Sequence, residues 1–117
     1  MSAAPEIRGR PLAEVKAELF RALANPARIR VLEVLVEGER SVSELQPLVG
    51  IEASHLSQQL GILRRAGLVS NRKDGSSVLY SIRQPALVDL LAVARQLLID
   101  SLSETRDLLH DLLEEQP

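Results

Sequence analysis

The spacing of apolar residues changes twice along this chain, and the two changes restrict the fold to helices on either side of one hairpin. From 12 to 66, leucine, valine and isoleucine recur every three to four positions, which is typical of amphipathic helices. Two runs of strand character follow at 68–73 and 77–82, and Asp74-Gly75 after the first run is a strong hairpin signal. Helical spacing returns after Pro85. The sequence therefore predicts a mainly α-helical fold with one two-stranded hairpin.

Capping residues divide the first helical region. Helix 1 is predicted at about 11–23, with Pro11 at its first position. Proline lacks a backbone N–H, but an N–H at the first helical position has no partner within the helix, so nothing is lost there. Asn25 and Pro26 are a good N-cap and a good first residue for helix 2. We expect helix 2 to end near Gly38.

Two further helices are predicted before the hairpin. Ser41 and Glu44 have the spacing of a capping box, in which each side chain bonds the other residue's backbone N–H. This box begins a short helix 3, which ends near Gly50. Helix 4 follows after a tight connection and ends near Ala66, with Gly67 in the position that favours a left-handed backbone.

The last helical region, predicted at about 85–114, is too long and too apolar for one small domain. A helix of about 30 residues spans roughly 45 Å. Its excess apolar length needs a partner, and the simplest partner is the same helix of a second copy in a two-fold dimer. The alternative is a break near Ser101–Ser103, with the second half folding back. Helix 1 is expected to join the dimer interface, whose predicted residues are Leu12, Val15, Leu19, Leu87, Leu91, Ala94, Leu98 and Leu102.

The composition excludes several classes of site. The chain has no cysteine, which rules out disulfides, thiolate metal sites and thiol redox switches. Aromatic residues make up only 2% of it, so its core must be built from aliphatic side chains. No apolar run reaches the length of a membrane span, and the start lacks the apolar segment of a signal peptide. We expect a cytoplasmic protein with no membrane partner, with residues 1–10 disordered and 11–117 forming a single domain.

Charge is distributed unevenly along the chain. The net charge of −2 argues weakly against a nucleic-acid partner. Residues 51–83, however, carry five basic and two acidic side chains, whereas residues 84–117 carry two basic and seven acidic ones. Either the basic middle segment meets an anionic partner, or both segments are ordinary solvated surfaces.

The outer face of helix 4 has an unusual composition. Leu56, Leu60 and Leu63 share one side, whereas the other side carries short hydroxyl and amide side chains such as Ser57 and Gln58. Such side chains let a helix lie close to the floor of the DNA major groove, and glutamine can pair bidentately with adenine. A helix-turn-helix followed at once by a two-stranded wing is the winged-helix layout, in which the second helix enters the major groove.

Three segments of the chain resemble one family. They are "LANPARIRVLEVL", "SVSELQPLVGIEASHLSQQLGILRRAGLV" and "NRKDGSSVLYSI". In this order they are similar to the ArsR/SmtB family of bacterial winged-helix repressors over about residues 12–83. The resemblance implies a winged helix-turn-helix of order α-α-α-α-β-β-α that dimerises through its first and last helices. It also implies a homodimer that binds double-stranded DNA at an inverted repeat, with an affinity that a ligand changes.

The resemblance also implies which residues face DNA. Gln59 has an alternative orientation toward the hairpin. Arg64 and Arg65 either meet phosphates or cap the C-terminus of helix 4. The predicted DNA-binding residues are Ser54, His55, Ser57, Gln58, Gln59, Arg64 and Arg65 in the helix, with Arg72, Lys73 and Ser76 in the wing.

The chain departs from the metal-sensing members of that family. Their paired cysteines at the start of helix 3 correspond to Ser41 and Ser43 here, and serine is a poor ligand for soft metals. Glu104, Asp107 and His110 leave open a weak nickel or zinc site across the dimer, against the alternative of an acidic solvated helix end. A partner protein, a small-molecule effector or no inducer at all would also fit.

Two other classes of function, a protein-interaction module and an enzyme, explain the sequence less well than a DNA-binding regulator does. A protein-interaction module would use the long apolar last helix but does not account for the basic middle segment. An enzyme is not expected, because no Ser-His-Asp pattern and no phosphate-binding glycine loop is present. The sequence thus predicts a transcriptional regulator, with repression favoured over activation because so small a chain has no activation domain.

Overall fold

The computed structural model describes residues 9–115, which form two compact units divided after Gln84. The disorder expected for the N-terminus falls, for residues 1–8, outside the described residues. Residues 9 and 10 are described. Both terminal nitrogens of the Arg10 guanidinium donate hydrogen bonds to the Glu18 carboxylate.

The first unit contains four helices and three strands, and the second unit contains one helix. The order agrees with the predicted winged helix-turn-helix except for one additional short strand before the third helix. The elements are α1 (Leu12–Leu23), α2 (Pro26–Val36), β1 (Arg40–Ser41), α3 (Val42–Val49), α4 (Ala53–Arg65), β2 (Val69–Asp74), β3 (Ser77–Ile82) and α5 (Pro85–Glu114).

The predicted caps define the helix boundaries. The Asn25 side chain accepts hydrogen bonds from the N–H groups of Ala27 and Arg28, at 2.9 and 3.2 Å. The capping box is complete, since the Ser41 hydroxyl accepts from the Glu44 N–H at 3.1 Å and the Glu44 carboxylate accepts from the Ser41 N–H at 2.8 Å. These bonds satisfy N–H groups that the first turn of a helix leaves without partners.

Glycines in the left-handed conformation mark the ends of α3 and α4. Gly50 and Gly67 have φ values of 77° and 76°, the left-handed conformation expected after a helix. Pro11 differs slightly from the prediction, because it is the N-cap of α1 and not its first helical residue. Its backbone is extended, and its carbonyl accepts the N–H groups of Glu14 and Val15.

The hairpin is part of a three-stranded antiparallel sheet in the order β1-β3-β2. Its strands are joined by Gly75 and Ser76, and Gly75 has φ 63°, as a two-residue hairpin turn requires. The sequence did not reveal β1, because two residues are too short to show a pattern. Its Arg40 pairs with Tyr80 and its Ser41 with Leu79, which joins the start of α3 to the central strand.

The core of the first unit is aliphatic, as the lack of aromatic residues requires. Helix α1 contributes little to it, because Leu23 is the only buried residue among the twelve of that helix. Helices α2, α3 and α4 and strand β2 contribute the side chains with almost no exposure, which are Val31, Leu32, Leu45, Leu56, Leu60, Leu63 and Val69.

The second unit is one unbroken helix of 30 residues, α5. The alternative of a break near Ser101–Ser103 is therefore wrong. A hydroxyl bond within the helix, from Thr105 Oγ1 to the Ser101 carbonyl at 3.0 Å, accommodates the polar residues there. No helix in residues 9–115 is both long and apolar enough to cross a membrane.

We predict that Ser41→Ala lowers the free energy of unfolding by about 0.5–2 kcal/mol, because it removes the N-cap of α3. The backbone N–H of Ser41 also lowers the pKa of Glu44. This interaction stabilises the fold above the ordinary pKa of a glutamate and is lost as the pH falls through the lowered one. Urea unfolding at neutral pH measures the difference, and Ser57→Ala is the control because Ser57 is an exposed serine within α4 that caps no helix. An equal loss in both variants would contradict the capping role.

Candidate nucleic-acid interface

Helix α4 has two faces of opposite chemistry. Leu56, Leu60 and Leu63 are buried in the core of the first unit. Ser57 and Gln58 are exposed on the other face, as are Ser54 and His55 nearer the N-terminus of the helix. The leucine row fixes the rotation of the helix, so the polar face is the one that a partner can reach. These four residues, which were predicted to face DNA, are thus all exposed.

Gly61 keeps the middle of this polar face low. It lines a shallow surface depression with Ser57, Gln58, Ile62 and Arg65. A Cβ atom at Gly61 would lie 3.2 Å from Nη1 of Arg65, so the guanidinium lies folded across the glycine. A glycine in a helix costs about 1 kcal/mol relative to alanine. The Arg65 guanidinium passes close over the backbone of Gly61, and a larger residue at position 61 would crowd it, which is a structural reason for a glycine here.

Gln59 corrects a prediction. It was expected to face DNA, with the hairpin as an alternative, but it is only 6% exposed and is therefore buried and not on the DNA-facing surface. Its Oε1 accepts a hydrogen bond from Nη1 of Arg28 on α2 at 2.9 Å. Position 59 lies on the same side of the helix as Leu56 and Leu63, which explains its burial.

Arg64 and Arg65 are exposed in the last turn of α4. The sequence left open whether they meet phosphates or cap this helix. Within residues 9–115, neither guanidinium hydrogen-bonds a carbonyl at the end of α4, and the N–H groups after the helix bond its last carbonyls instead. The geometry therefore gives no support for capping of α4 by either side chain, and the Arg65 guanidinium lies across Gly61 instead.

The wing carries Arg72, Lys73 and Ser76 on its exposed surface. Arg72 is already paired, because its Nε and Nη2 donate to the two carboxylate oxygens of Glu39 at 2.9 and 2.8 Å. This fork joins β2 to the residue just before β1. The Arg72 guanidinium holds the pKa of Glu39 below its ordinary value. Sequence reasoning missed this pair because its members are 33 positions apart.

The serines at the start of α3 do not fit a soft metal ion. The hydroxyls of Ser41 and Ser43 lie 3.0 Å apart, and that of Ser41 also accepts the Glu44 N–H. They line a shallow depression with Ser76 and Ser77 of the wing, so every side-chain donor atom there is a hydroxyl oxygen. Soft metal ions prefer sulfur, and these oxygens are already bonded to each other or to the backbone.

The candidate metal residues of α5 are not assembled into a site. His110 lies beside Glu114, with Nε2 3.0 Å from the carboxylate. Within the described part of a single chain, no group of three or more His, Asp or Glu residues is placed to hold a metal ion. A site built by Glu104, Asp107 and His110 of one chain is therefore not formed.

Helices α1 and α5 each expose apolar side chains. Leu12 and Phe20 of α1 are 62% and 55% exposed, and Val15 and Leu19 are half-buried. On α5, Leu98 and Leu102 are 64% and 69% exposed. Other large apolar side chains farther along this helix are also exposed. Ala94 is exposed, Leu91 is half-buried and Leu87 is buried, so Leu87 differs in exposure from the other predicted interface residues of α5.

Comparison with known sequences identifies the family of this chain. The family described as "Bacterial regulatory protein, arsR family" matches residues 25–71, from the cap of α2 into β2. An uncharacterized HTH-type transcriptional regulator of Mycobacterium tuberculosis, Rv0081, is 60% identical over 87 residues, which are 74% of this chain and 76% of that protein. The chain belongs to the arsR family. A probable mercury resistance operon repressor of Streptomyces lividans is 38% identical over 82 residues, 70% of this chain and 66% of that protein.

Solved structures of arsR-type regulators have the same fold. The crystal structure of Rv0081 from M. tuberculosis aligns with a TM-score of 0.77 at 56% identity, over 83% of this chain and 98% of that one. The homodimeric winged helix-turn-helix domain of Mb0332 from Mycobacterium bovis aligns with a TM-score of 0.73 at 27% identity, over 83% of this chain and 94% of that one. The repressor BigR of Xylella fastidiosa aligns at 0.69 and 33% identity, over 83% of this chain and 95% of that one.

We predict that Arg72→Ala raises the pKa of Glu39 toward the ordinary glutamate value, because the guanidinium no longer stabilises the carboxylate. In the parent protein the pair stabilises the wing above that ordinary pKa and is lost as the pH falls through the lowered one. Carbon-detected NMR titration of the Glu39 side chain measures the change. Lys73→Ala, at the next position of β2, is the control, and a pKa that moves equally in both variants would contradict the pairing.

Proposed function

We propose that this protein is a sequence-specific transcriptional repressor that binds an inverted repeat in double-stranded DNA as a homodimer. The observation that carries the proposal is the exposed face of α4, where Ser57, Gln58 and Gly61 form a low polar surface. The family to which the chain belongs gives this helix the second position of a helix-turn-helix.

The chemistry of α4 suits direct reading of bases. Gln58 is exposed and its amide can pair with the N6 and N7 groups of adenine, while serine hydroxyls can bond base edges or phosphates. Gly61 adds no side chain between the helix backbone and the groove floor, but the Arg65 guanidinium that lies across it must move aside before the backbone can approach. Each good bidentate contact discriminates against the wrong base by about 1–3 kcal/mol.

The wing and the end of α4 supply positive charge to the DNA backbone. Arg64, Arg65 and Lys73 are exposed, and Ser76 adds a hydroxyl at the wing turn. Contacts of this kind orient a protein on DNA without reading its sequence. Arg72 can join them only by exchanging the carboxylate of Glu39 for a phosphate.

The exposed apolar residues of α1 and α5 support a homodimer. So much exposed leucine on one long helix requires cover, and a second copy supplies an identical apolar face. A two-fold dimer presents two α4 helices to half-sites about 34–36 Å apart, one turn of DNA. The M. bovis Mb0332 domain is a homodimer of this fold.

Repression is favoured by the relatives, several of which are named as repressors. The signal that releases the protein from DNA is proposed to be a partner protein or a small molecule, since the paired hydroxyls of Ser41 and Ser43 are poor ligands for a soft metal ion. Bacterial chromosomal DNA lies in the cytoplasm, which is therefore the proposed location.

The direct test is a mobility-shift assay at moderate salt with the promoter region upstream of the protein's own gene. We expect a complex that survives excess unrelated DNA and whose footprint covers two inverted half-sites. Analytical ultracentrifugation of the bound species should give two chains per site. Binding that unrelated DNA of equal length competes away completely would contradict the proposal.

We predict that Gln58→Ala relaxes specificity at one position of each half-site, at a cost of about 1–3 kcal/mol, because one bidentate base contact is lost. Fluorescence anisotropy with operators that vary one base pair at a time measures the effect. The matched control is Gln84→Ala, which removes an exposed glutamine between β3 and α5. An unchanged base preference in Gln58→Ala would remove this residue from the reading surface.

We predict that Arg72→Ala weakens binding to all DNA sequences and lowers the slope of log affinity against log salt by about one unit. Glu39→Gln should strengthen binding to all sequences, because Arg72 then leaves a neutral partner for the phosphate. Salt titrations of operator and unrelated DNA measure both effects. Weaker binding in Glu39→Gln would show that the ion pair shapes the wing and that Arg72 does not contact DNA.

A further inference from the structure

Arg28 occupies a position that the proposed DNA contacts do not use. It lies in the first turn of α2, and its guanidinium makes three hydrogen bonds to two other helices. Nε donates to the carbonyl of Ala22 at 2.7 Å, and Nη2 donates to the carbonyl of Arg21 at 3.2 Å. Both carbonyls belong to the last turn of α1. Nη1 donates to Oε1 of Gln59 on α4 at 2.9 Å.

The bonds to α1 matter because that helix has few other attachments. Leu23 is its only buried residue, and Leu12 and Phe20 project into solvent. The last carbonyls of a helix carry partial negative charge and lack partners within it, so a cation there is stabilising. Arg28 therefore fixes the C-terminal turn of α1 beside the single apolar anchor of the helix.

The bond to α4 matters because Gln59 is almost completely buried. Burial of an amide is costly unless it is hydrogen-bonded, and the bond to a charged donor is stronger than one between neutral groups. Gln59 is one of two buried polar side chains in residues 9–115, the other being the N-cap Ser41. Among the leucines of α4, Gln59 thus provides a directional contact, which apolar packing does not.

We infer that Arg28 and Gln59 form a polar link that positions the recognition helix α4 relative to the dimerisation helix α1, and so selects the half-site spacing that the dimer accepts. The inference rests on the proposed function. In a two-fold dimer, the separation of the two α4 helices depends on how each α4 is held relative to its dimer interface. Arg28 and Gln59 are positioning residues and do not touch DNA.

The link makes a different prediction from a base contact or a purely structural role. Loss of a base contact would change base preference within a half-site and leave spacing preference unchanged. A purely structural role would lower thermal stability and leave every affinity ratio of the folded protein unchanged. Loss of a positioning link should change spacing preference and leave base preference unchanged.

The main variant is Gln59→Met, which keeps the length of the side chain and removes the acceptor. The probe is an inverted repeat selected in vitro by the parent protein, with spacers of native length and one or two base pairs shorter or longer. We expect affinity for the native spacer to fall by about tenfold, comparable to one mismatched base pair, with unrelated DNA bound as before. The preference among spacers should flatten, and the preferred bases should stay the same.

The rescue variant is Gln59→Glu, whose carboxylate can accept the same bond from Arg28. We expect it to restore the parent spacing preference. If Gln59→Met does not fold by circular dichroism, Arg28→Lys replaces it, because a lysine keeps the charge but cannot bond all three acceptors in the geometry of a planar fork. The same flattening is expected there.

The outcomes separate the link from the function on which it rests. If the parent protein selects no inverted repeat, the proposed function fails. If the parent selects one and the folded Gln59→Met or Arg28→Lys variant keeps its spacing preference, only the positioning link is overturned. A flattened preference that Gln59→Glu does not restore also overturns the link, because the acceptor is then not what positions α4.

Discussion

The burial of one row of leucines on α4 is the constraint on which the rest of the structure depends. Leu56, Leu60 and Leu63 fill the centre of a small aliphatic core that contains no fully buried aromatic side chain among the described residues. Because the row fixes how the helix is rotated, it also decides which residues face outward. The reading surface of Ser57 and Gln58 is thus a consequence of core packing, and a change of rotation would cost both stability and recognition.

Two arginines show how charge in the sequence differs from charge available to a ligand. Arg28 bonds two carbonyls of α1 and an amide of α4, and Arg72 bonds both oxygens of Glu39. Only Arg72 belongs to the basic segment 51–83, for which an anionic partner was considered. The first acts within the fold, and the second must give up an internal partner before it can serve DNA. The unpaired positive surface is therefore smaller than the sequence suggests.

The features predicted correctly from the sequence are local ones. The cap at Asn25, the capping box of Ser41 and Glu44, the glycine at 67 and the hairpin turn each depend on residues within a few positions of one another. Caps and turns depend on the chemistry of neighbouring residues, so they can be predicted without the rest of the fold. Spacing and capping also predicted the order of the helices and the hairpin, and comparison with known regulators confirmed the winged helix-turn-helix fold.

What the sequence determined by itself was the set of helices, the hairpin and the two chemically different faces of α4, because spacing and capping encode them locally. Only the tertiary structure decided the strand β1, the burial of Gln59 and the partner of Arg72. Each of these joins residues that are far apart in the chain, such as Arg28 and Gln59, which are separated by 31 positions. No periodic pattern records such a pair, since its contact exists only after the helices have packed.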